Sequence, residues 1–238
     1  MEKMKIVAII AAAGKGKRMN ARTGKSFIPI FGKPILAYTI EKFEKCKLID
    51  KIYLIVSREE KEQCCRNIIS KYNFSKIQEL VNGGETRQDS IYNGLNAIDR
   101  YTDIVVIHDG ARPLVEENII QDSIETAQKY GAAVTAIPIK DTIKKCGKDF
   151  IINKTLNREE IWRAQTPQTF KYDLIIQAYH QAYKEKYFAT DDAAIVERFG
   201  NKVKLILGSE ENIKITTPFD IIMVENFLKR GFRFKFKL

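Results

Sequence analysis

Six short apolar runs recur along this chain: Lys5–Ile10, Lys51–Val56, Lys76–Val81, Ile104–His108, Ala132–Ile137 and Val203–Leu207. Stretches with helical period lie between and after them, at Pro34–Cys46, Glu59–Lys71, Thr86–Ala97, Val115–Tyr130, Tyr172–Lys186 and Pro218–Lys229. Runs such as IVAII and IVVI are apolar at consecutive positions rather than alternate ones. A strand apolar on both sides must be covered on both sides, the condition of a parallel sheet flanked by helices. The expected fold class is therefore α/β: a mainly parallel twisted sheet with helices on both faces. Pro34 and Pro218 suit first-turn positions of helices, and Thr217 suits a cap.

The rhythm breaks between Pro138 and Trp162, where two short β-like pieces flank Cys146-Gly147-Lys148, a turn. An isolated hairpin is marginal in water. Residues 138–162 are therefore expected to form a protruding β-hairpin arm that a second subunit covers, giving a homodimer. The rest of 1–238 reads as a single domain, of a length and 45% hydrophobic fraction that sustain an ordinary core. No apolar run approaches the roughly 20 residues of a membrane helix. Ile6–Ile10 is followed by charge, not a cleavage site, so it reads as a strand rather than a signal peptide. The four cysteines (46, 64, 65 and 146) contain no CxxC pair, which points to reduced thiols and a cytoplasmic location. The formal charge of +10 favours anionic partners. Its one local cluster, LKRGFRFKFKL at the end of the chain, reads as an edge strand or frayed end before a base-stacking tail.

The first run feeds AAAGKGKRM, small residues and then cations. Two familiar phosphate loops fail here. The dinucleotide fingerprint needs a third glycine where Met19 stands. Gly24-Lys25-Ser26 resembles the end of a P-loop, but its first glycine would also fall at Met19, and SFIPIFGKP follows instead of a helix. What remains is a longer loop, 11–27, whose small residues admit backbone N–H groups to a ligand and whose cations neutralise phosphate. On its own it is equally a solvated basic loop.

Further stretches stand at or beyond the carboxyl ends of strands, the ligand-binding edge of open α/β sheets. GGETRQDS places Gly83 and Gly84 in a tight turn, Arg87 as a brace, and Ser90 within reach of a base or sugar. HDGARP puts Asp109 where a Mg²⁺ ion beside phosphates needs one or two carboxylates; His108 reads as a support of that turn. FATDDAAIV offers Thr190, Asp191 and Asp192 either to a ligand or as a helix cap with first-turn acids. Lys214, within a short strand NIKIT, is expected to face water or an anion.

With NREEIWRAQTPQTF and GSEENIKITTP, these motifs run in order from about residue 6 to residue 220, and the chain resembles the 2-C-methyl-D-erythritol 4-phosphate cytidylyltransferases. The resemblance implies a Rossmann-like nucleotidyltransferase fold in the non-mevalonate isoprenoid pathway, with CTP as co-substrate and Mg²⁺ as the divalent cation. It implies a CTP pocket of Ala12, Ala13, Gly14, Gly16, Gly84 and Ser90. Arg18, Lys25 and Lys214 would face the triphosphate as catalytic cations, and Asp109 would bind the metal. Arg112, Thr142, Arg158, Thr166 and Asp191 would surround the sugar phosphate, Thr142 and Arg158 serving the neighbour's site through the exchanged arm. The chain departs from the family's usual Pro-Lys-Gln at Gly24-Lys25-Ser26, which bears on loop stiffness more than on chemistry. A sister reading uses ribitol 5-phosphate in place of methylerythritol phosphate. A different class, a nucleotide- or nucleic-acid-binding module, would show no turnover.

Overall fold

The computed structural model describes residues 3–14 and 24–230, the last without its side chain. The first half holds β1 (Ile6–Ala11), two-residue strands β2 (Pro29–Ile30) and β3 (Lys33–Pro34), α1 (Ile35–Lys45), β4 (Lys51–Val56), α2 (Lys61–Cys64), β5 (Ile77–Asn82), α3 (Arg87–Ala97) and β6 (Ile104–Asp109). Then come α4 (Glu117–Tyr130), β7 (Ala132–Pro138), β8 (Lys144–Cys146), β9 (Ile152–Thr155), β10 (Trp162–Lys171), α5 (Tyr172–Lys184), α6 (Asp192–Arg198), β11 (Lys204–Leu207) and α7 (Pro218–Arg230). Seven strands form one sheet in the order β11-β7-β10-β6-β1-β4-β5. Only β10 runs antiparallel to its neighbours.

The consecutive apolar positions serve two cores. Ile6, Ala8 and Ile10 of β1 face one way, with Ile40 and Phe43 of α1 and Ile120 and Ile124 of α4. Val7 and Ile9 face the other way, with Ile91 and Leu95 of α3, Ile175 and Tyr179 of α5 and Ile195 of α6. The period of two along a strand makes this division unavoidable. All six expected strands form, within a residue at either end.

Three expectations need correction, and one strand was not anticipated. The central strand β10 reads as no strand in the sequence, because Pro167 lacks a donor and polar Gln165, Thr166, Gln168 and Thr169 look like loop. The structure buries all four and bonds them: Gln165 Nε2 donates to the Ser209 carbonyl, and Thr169 Oγ1 to Ser123 Oγ. The register shifts between Ala164 and Gln168, which steps the ladder past Pro167. The helix expected over 59–71 is a 3-10 turn, α2 and a π-helical turn in succession. The strand expected around Lys214 is an extended segment outside the sheet, held where Ile215 N–H donates to the Ala111 carbonyl at 2.9 Å. Pro34 takes the position before the first turn of α1, and Asp220 ties the start of α7 by accepting from the N–H and hydroxyl of both Thr216 and Thr217.

The arm leaves where the sequence placed it, between Pro138 of β7 and Trp162 of β10. β8 and β9 pair antiparallel and are exposed throughout, and at its tip Phe150, Ile151 and Ile152 are 88%, 64% and 59% exposed.

Candidate active site

The carboxyl ends of β1 and β6, with the turn after β5, enclose a cavity of about 410 Å³. Ala11, Ala13 and Gly14 line it from the first loop, Gly84, Thr86, Arg87 and Ser90 from the second, and Lys25, Ser26, Asp109, Ala111 and Lys214 complete it. A larger hollow of about 890 Å³ lies at the opposite edge of the sheet, beside Thr102 and Lys171. Its position off the carboxyl ends of the parallel strands, and its lack of a glycine turn, leave the first cavity as the candidate.

Close packing explains the glycines. A Cβ on Gly83 would stand 2.3 Å from the Ala13 Cβ, and one on Gly84 would stand 2.3 Å from the Asp89 Cβ. The turn then enters α3 through a capping box: Thr86 Oγ1 accepts from Asp89 N–H at 3.1 Å, and Asp89 Oδ2 accepts from Thr86 N–H at 2.9 Å. Ser90 Oγ accepts from Gly84 N–H at 3.0 Å and donates to the Thr86 carbonyl at 2.8 Å. Its proton is therefore committed to the turn, and toward a ligand Ser90 offers only a lone pair. Ala12 lies buried behind the lining.

Asp109 organises the charge. Its Oδ2 is 2.8 Å from Lys214 Nζ and 3.4 Å from Arg112 Nε, and its Oδ1 is 3.5 Å from Arg87 Nε. Burial pushes the Asp109 carboxyl up, but Arg87, Lys214 and Arg112 outweigh it and hold the group well below the usual carboxylate range. Arg87 is itself fixed by a fork to buried Asp192, Nη1 to Oδ1 at 3.0 Å and Nη2 to Oδ2 at 2.7 Å. The Tyr179 hydroxyl donates to the same Asp192 at 2.5 Å. Lys25, Arg87 and Lys214 share the lining with Glu85 and Asp109, and Arg87 is matched by Asp192.

His108 is fully buried behind this array. Its Nε2 faces the Arg112 carbonyl at 3.2 Å, which assigns the proton to Nε2, so Nδ1 accepts from Thr166 Oγ1 at 3.0 Å. Thr166 Oγ1 in turn accepts from Asp109 N–H at 3.1 Å. Burial pushes the imidazole down to about 3. The ring is a neutral brace for the turn.

Arg112 donates from Nη1 to the Asn212 carbonyl at 2.6 Å and lines a second hollow of about 360 Å³ with Asn212 and Lys214. Lys214 thus lines both spaces. The remaining residues named from sequence stand elsewhere. Thr166 lies beneath Asp109. Asp191 caps α6, accepting from Ala194 N–H at 3.0 Å and Gln168 Nε2 at 2.8 Å. Thr142 and Arg158 lie on the exposed arm and line neither space of their own chain; Arg158 Nη1 donates to the Lys140 carbonyl. Gly16 and Arg18 lie outside the described residues, as does the tail cluster beyond Arg230.

Sequence reasoning missed Asn212 and the pairing of Asp192 with Arg87. The Thr86–Asp89 box was readable from its spacing. The others meet their partners only across the fold and leave no local signal.

The model of the family described as IspD, 2-C-methyl-D-erythritol 4-phosphate cytidylyltransferase, matches residues 6–230. The chain belongs to this family. It is similar to the 2-C-methyl-D-erythritol 4-phosphate cytidylyltransferase of Clostridium acetobutylicum, 49% identical over 224 residues, spanning 94% of this chain and 97% of the relative. That of Clostridium novyi is 47% identical over 222 residues, 93% and 96% of the two chains. Among solved structures, 4-diphosphocytidyl-2C-methyl-D-erythritol synthase from Anaerococcus prevotii superposes with a TM-score of 0.85 at 35% identity, covering 96% of this chain and 97% of that one. As an IspD-family member the chain is an enzyme of the cytidylyltransferase class, and the sheet with its arm is the IspD nucleotidyltransferase fold.

Proposed function

We propose that this chain transfers the CMP group of CTP to 2-C-methyl-D-erythritol 4-phosphate and releases pyrophosphate. The observation that carries the reading is the ionised Asp109 at the cavity wall, ringed by Lys214, Arg87 and Arg112, with Lys214 shared between two adjoining hollows. The first hollow suits the nucleotide and the second the sugar phosphate.

Joining two anions is an electrostatic problem. Two like unit charges 4 Å apart repel by about 4 kcal/mol at an effective dielectric of 20, and each reactant carries several. The sugar-phosphate oxygen attacks the α-phosphorus, the bond to the bridging oxygen breaks, and pyrophosphate carries that electron pair away. The nucleophile is already an anion at neutral pH, so no general base is needed, and a neutral, buried His108 is consistent with that. Lys25 and Lys214, with Arg18 from the loop beyond the described residues, offset charge at the α-phosphorus by preorganised electrostatics. Ala12, Ala13, Gly14, Gly16, Gly84 and Ser90 hold the nucleotide. Arg112 of the same chain, with Thr142 and Arg158 from a partner's arm, receives the sugar phosphate, while Thr166 braces Asp109 and Asp191 caps α6.

Asp109 fits a Mg²⁺ ion. It is a hard oxygen donor kept ionised at the cavity wall, and one carboxylate suffices where phosphate and water supply the remaining ligands. When bound, the ion would neutralise phosphate charge. The apolar tip of the arm supports a homodimer, and reduced cysteines support a cytoplasmic enzyme.

Pyrophosphate release with Mg²⁺ and CTP tests the reading, comparing 2-C-methyl-D-erythritol 4-phosphate with ribitol 5-phosphate. Faster release with the first is expected. Faster release with the second would move the enzyme to polyol-phosphate metabolism, and release with neither would sink the catalytic reading.

A further inference from the structure

Lys25 sits just after a residue that has no side chain to hold it. Gly24 nevertheless has φ −53° and ψ 139°, the backbone a proline would adopt. Its N–H donates to Glu60 Oε1 at 2.8 Å, a residue 36 positions away beyond β4. Glu60 is held in turn by Ser57, whose hydroxyl donates to Oε2 at 2.6 Å. On the other side of Lys25 the chain is pinned as well: Phe27 N–H donates to the Gly24 carbonyl at 2.9 Å, and Ser26 and Phe27 are buried. The contact is close, since a Cβ on Gly24 would lie 2.3 Å from Glu60 Oε1.

We propose that Glu60, braced by Ser57, is a positioning residue for Lys25: it latches the Gly24 backbone and performs through a hydrogen bond what a ring-locked φ would do. The proposal rests on the reading that Lys25 meets the nucleotide phosphates. Glu60 and Ser57 are absent from the lining of the cavity, so they act through the backbone and not on the ligand. A bond that fixes one backbone N–H can be replaced by a proline only when the carboxylate is removed, because the ring occupies the place of the N–H and its acceptor. The two changes should therefore compensate each other.

The test is steady-state pyrophosphate release by Glu60→Gln, Glu60→Ala, Gly24→Pro, the Glu60→Ala/Gly24→Pro double variant, Ser57→Ala and Lys25→Ala, with melting temperatures measured alongside. Misplacing a charged group by about 1 Å can cost up to about 100-fold, so Glu60→Ala is expected to lower kcat at least about tenfold with KM for the sugar phosphate unchanged. Glu60→Gln keeps an acceptor and should stay within about twofold of wild type. Gly24→Pro alone loses the bond and meets the carboxylate, so it should be as poor as Glu60→Ala, and the double variant should recover most of the kcat. Should Glu60→Ala fail to fold, Ser57→Ala carries the test with a smaller loss in kcat. Wild-type kcat in Glu60→Ala, or a double variant no better than that single one, would overturn the latch. Full turnover in Lys25→Ala would instead overturn the role given to Lys25, and a dead Lys25→Ala beside an active Glu60→Ala removes only the latch.

Discussion

Lys214 Nζ lies 2.8 Å from Asp109 Oδ2, joining an extended segment before α7 to the carboxyl end of β6. The Lys214 side chain is 36% exposed while that of Asp109 is 8% exposed, so the pair is a lysine reaching inward to a buried anion. A partly exposed pair of this kind contributes about 1 kcal/mol or less to stability. Lys214→Ala should therefore lower turnover by at least about 100-fold, the scale of losing one charge-stabilising donor, while the urea midpoint barely moves. If Asp109 holds a Mg²⁺ ion, Asp109→Asn should flatten the response of the remaining turnover to added Mg²⁺, which a metal titration reads directly.

Asp192 is buried and receives both the Arg87 fork and the Tyr179 hydroxyl. Removing one partner of such a pair strands the other, at a cost of about 3 kcal/mol where the arginine keeps some solvent. Asp192→Ala should show that loss in equilibrium urea unfolding. Asp191→Ala, which removes the α6 cap and the acceptor of Gln168 Nε2 but strands no charge, should cost about 1 kcal/mol.

His108 makes the fold acid-sensitive. Its folded pKa of about 3 lies below the ordinary 6.5, so its contribution is whole above pH 6.5 and is lost as pH falls toward 3. Across that window the unfolded chain binds the extra proton, and stability should fall by about 1.4 kcal/mol per pH unit from this group. Asp109, also depressed, adds loss of the same sign only as pH falls below its ordinary 3.8. Unfolding measured from pH 6 to pH 4 should show a shallower slope in His108→Gln, and an unchanged slope would refute the assignment.

Gly83 packs against Ala13, a residue of the cavity lining. Gly83→Ala forces the two loops apart, and overpacking of this kind costs about 1–3 kcal/mol. Calorimetric titration should show CTP affinity weakened by about tenfold or more, each tenfold being about 1.4 kcal/mol.

If a second copy covers the exposed tip of the arm, Phe150 to Ile152, an Ile151→Asp/Ile152→Asp variant should be a monomer by light scattering where the wild type is a dimer. If Arg158 serves the neighbouring subunit, inactive Arg158→Ala and inactive Lys214→Ala chains should complement on mixing. Half of the dimers would be mixed and each would hold one intact site, so roughly a quarter of wild-type activity returns.

The α/β class and the six strands were legible because consecutive apolar residues permit only a doubly covered strand, and the arm because its composition broke that rhythm. The glycine turn and Asp109 were legible for a related reason: ligand sites sit at strand ends, and strand ends can be read. β10 was not, since its buried polar residues look like loop until Ser123, Asp191 and Ser209 supply their partners. The same holds for Arg87 with Asp192 and for Gly24 with Glu60, pairs 105 and 36 residues apart. Periodicity and spacing are local properties of a chain, so the sequence by itself determined which segments are strands and helices and which loops bear the charge. Which charges neutralise one another, and which backbone group is held by which side chain, only the tertiary structure decided, because those energies depend on distances that exist only after the chain has closed.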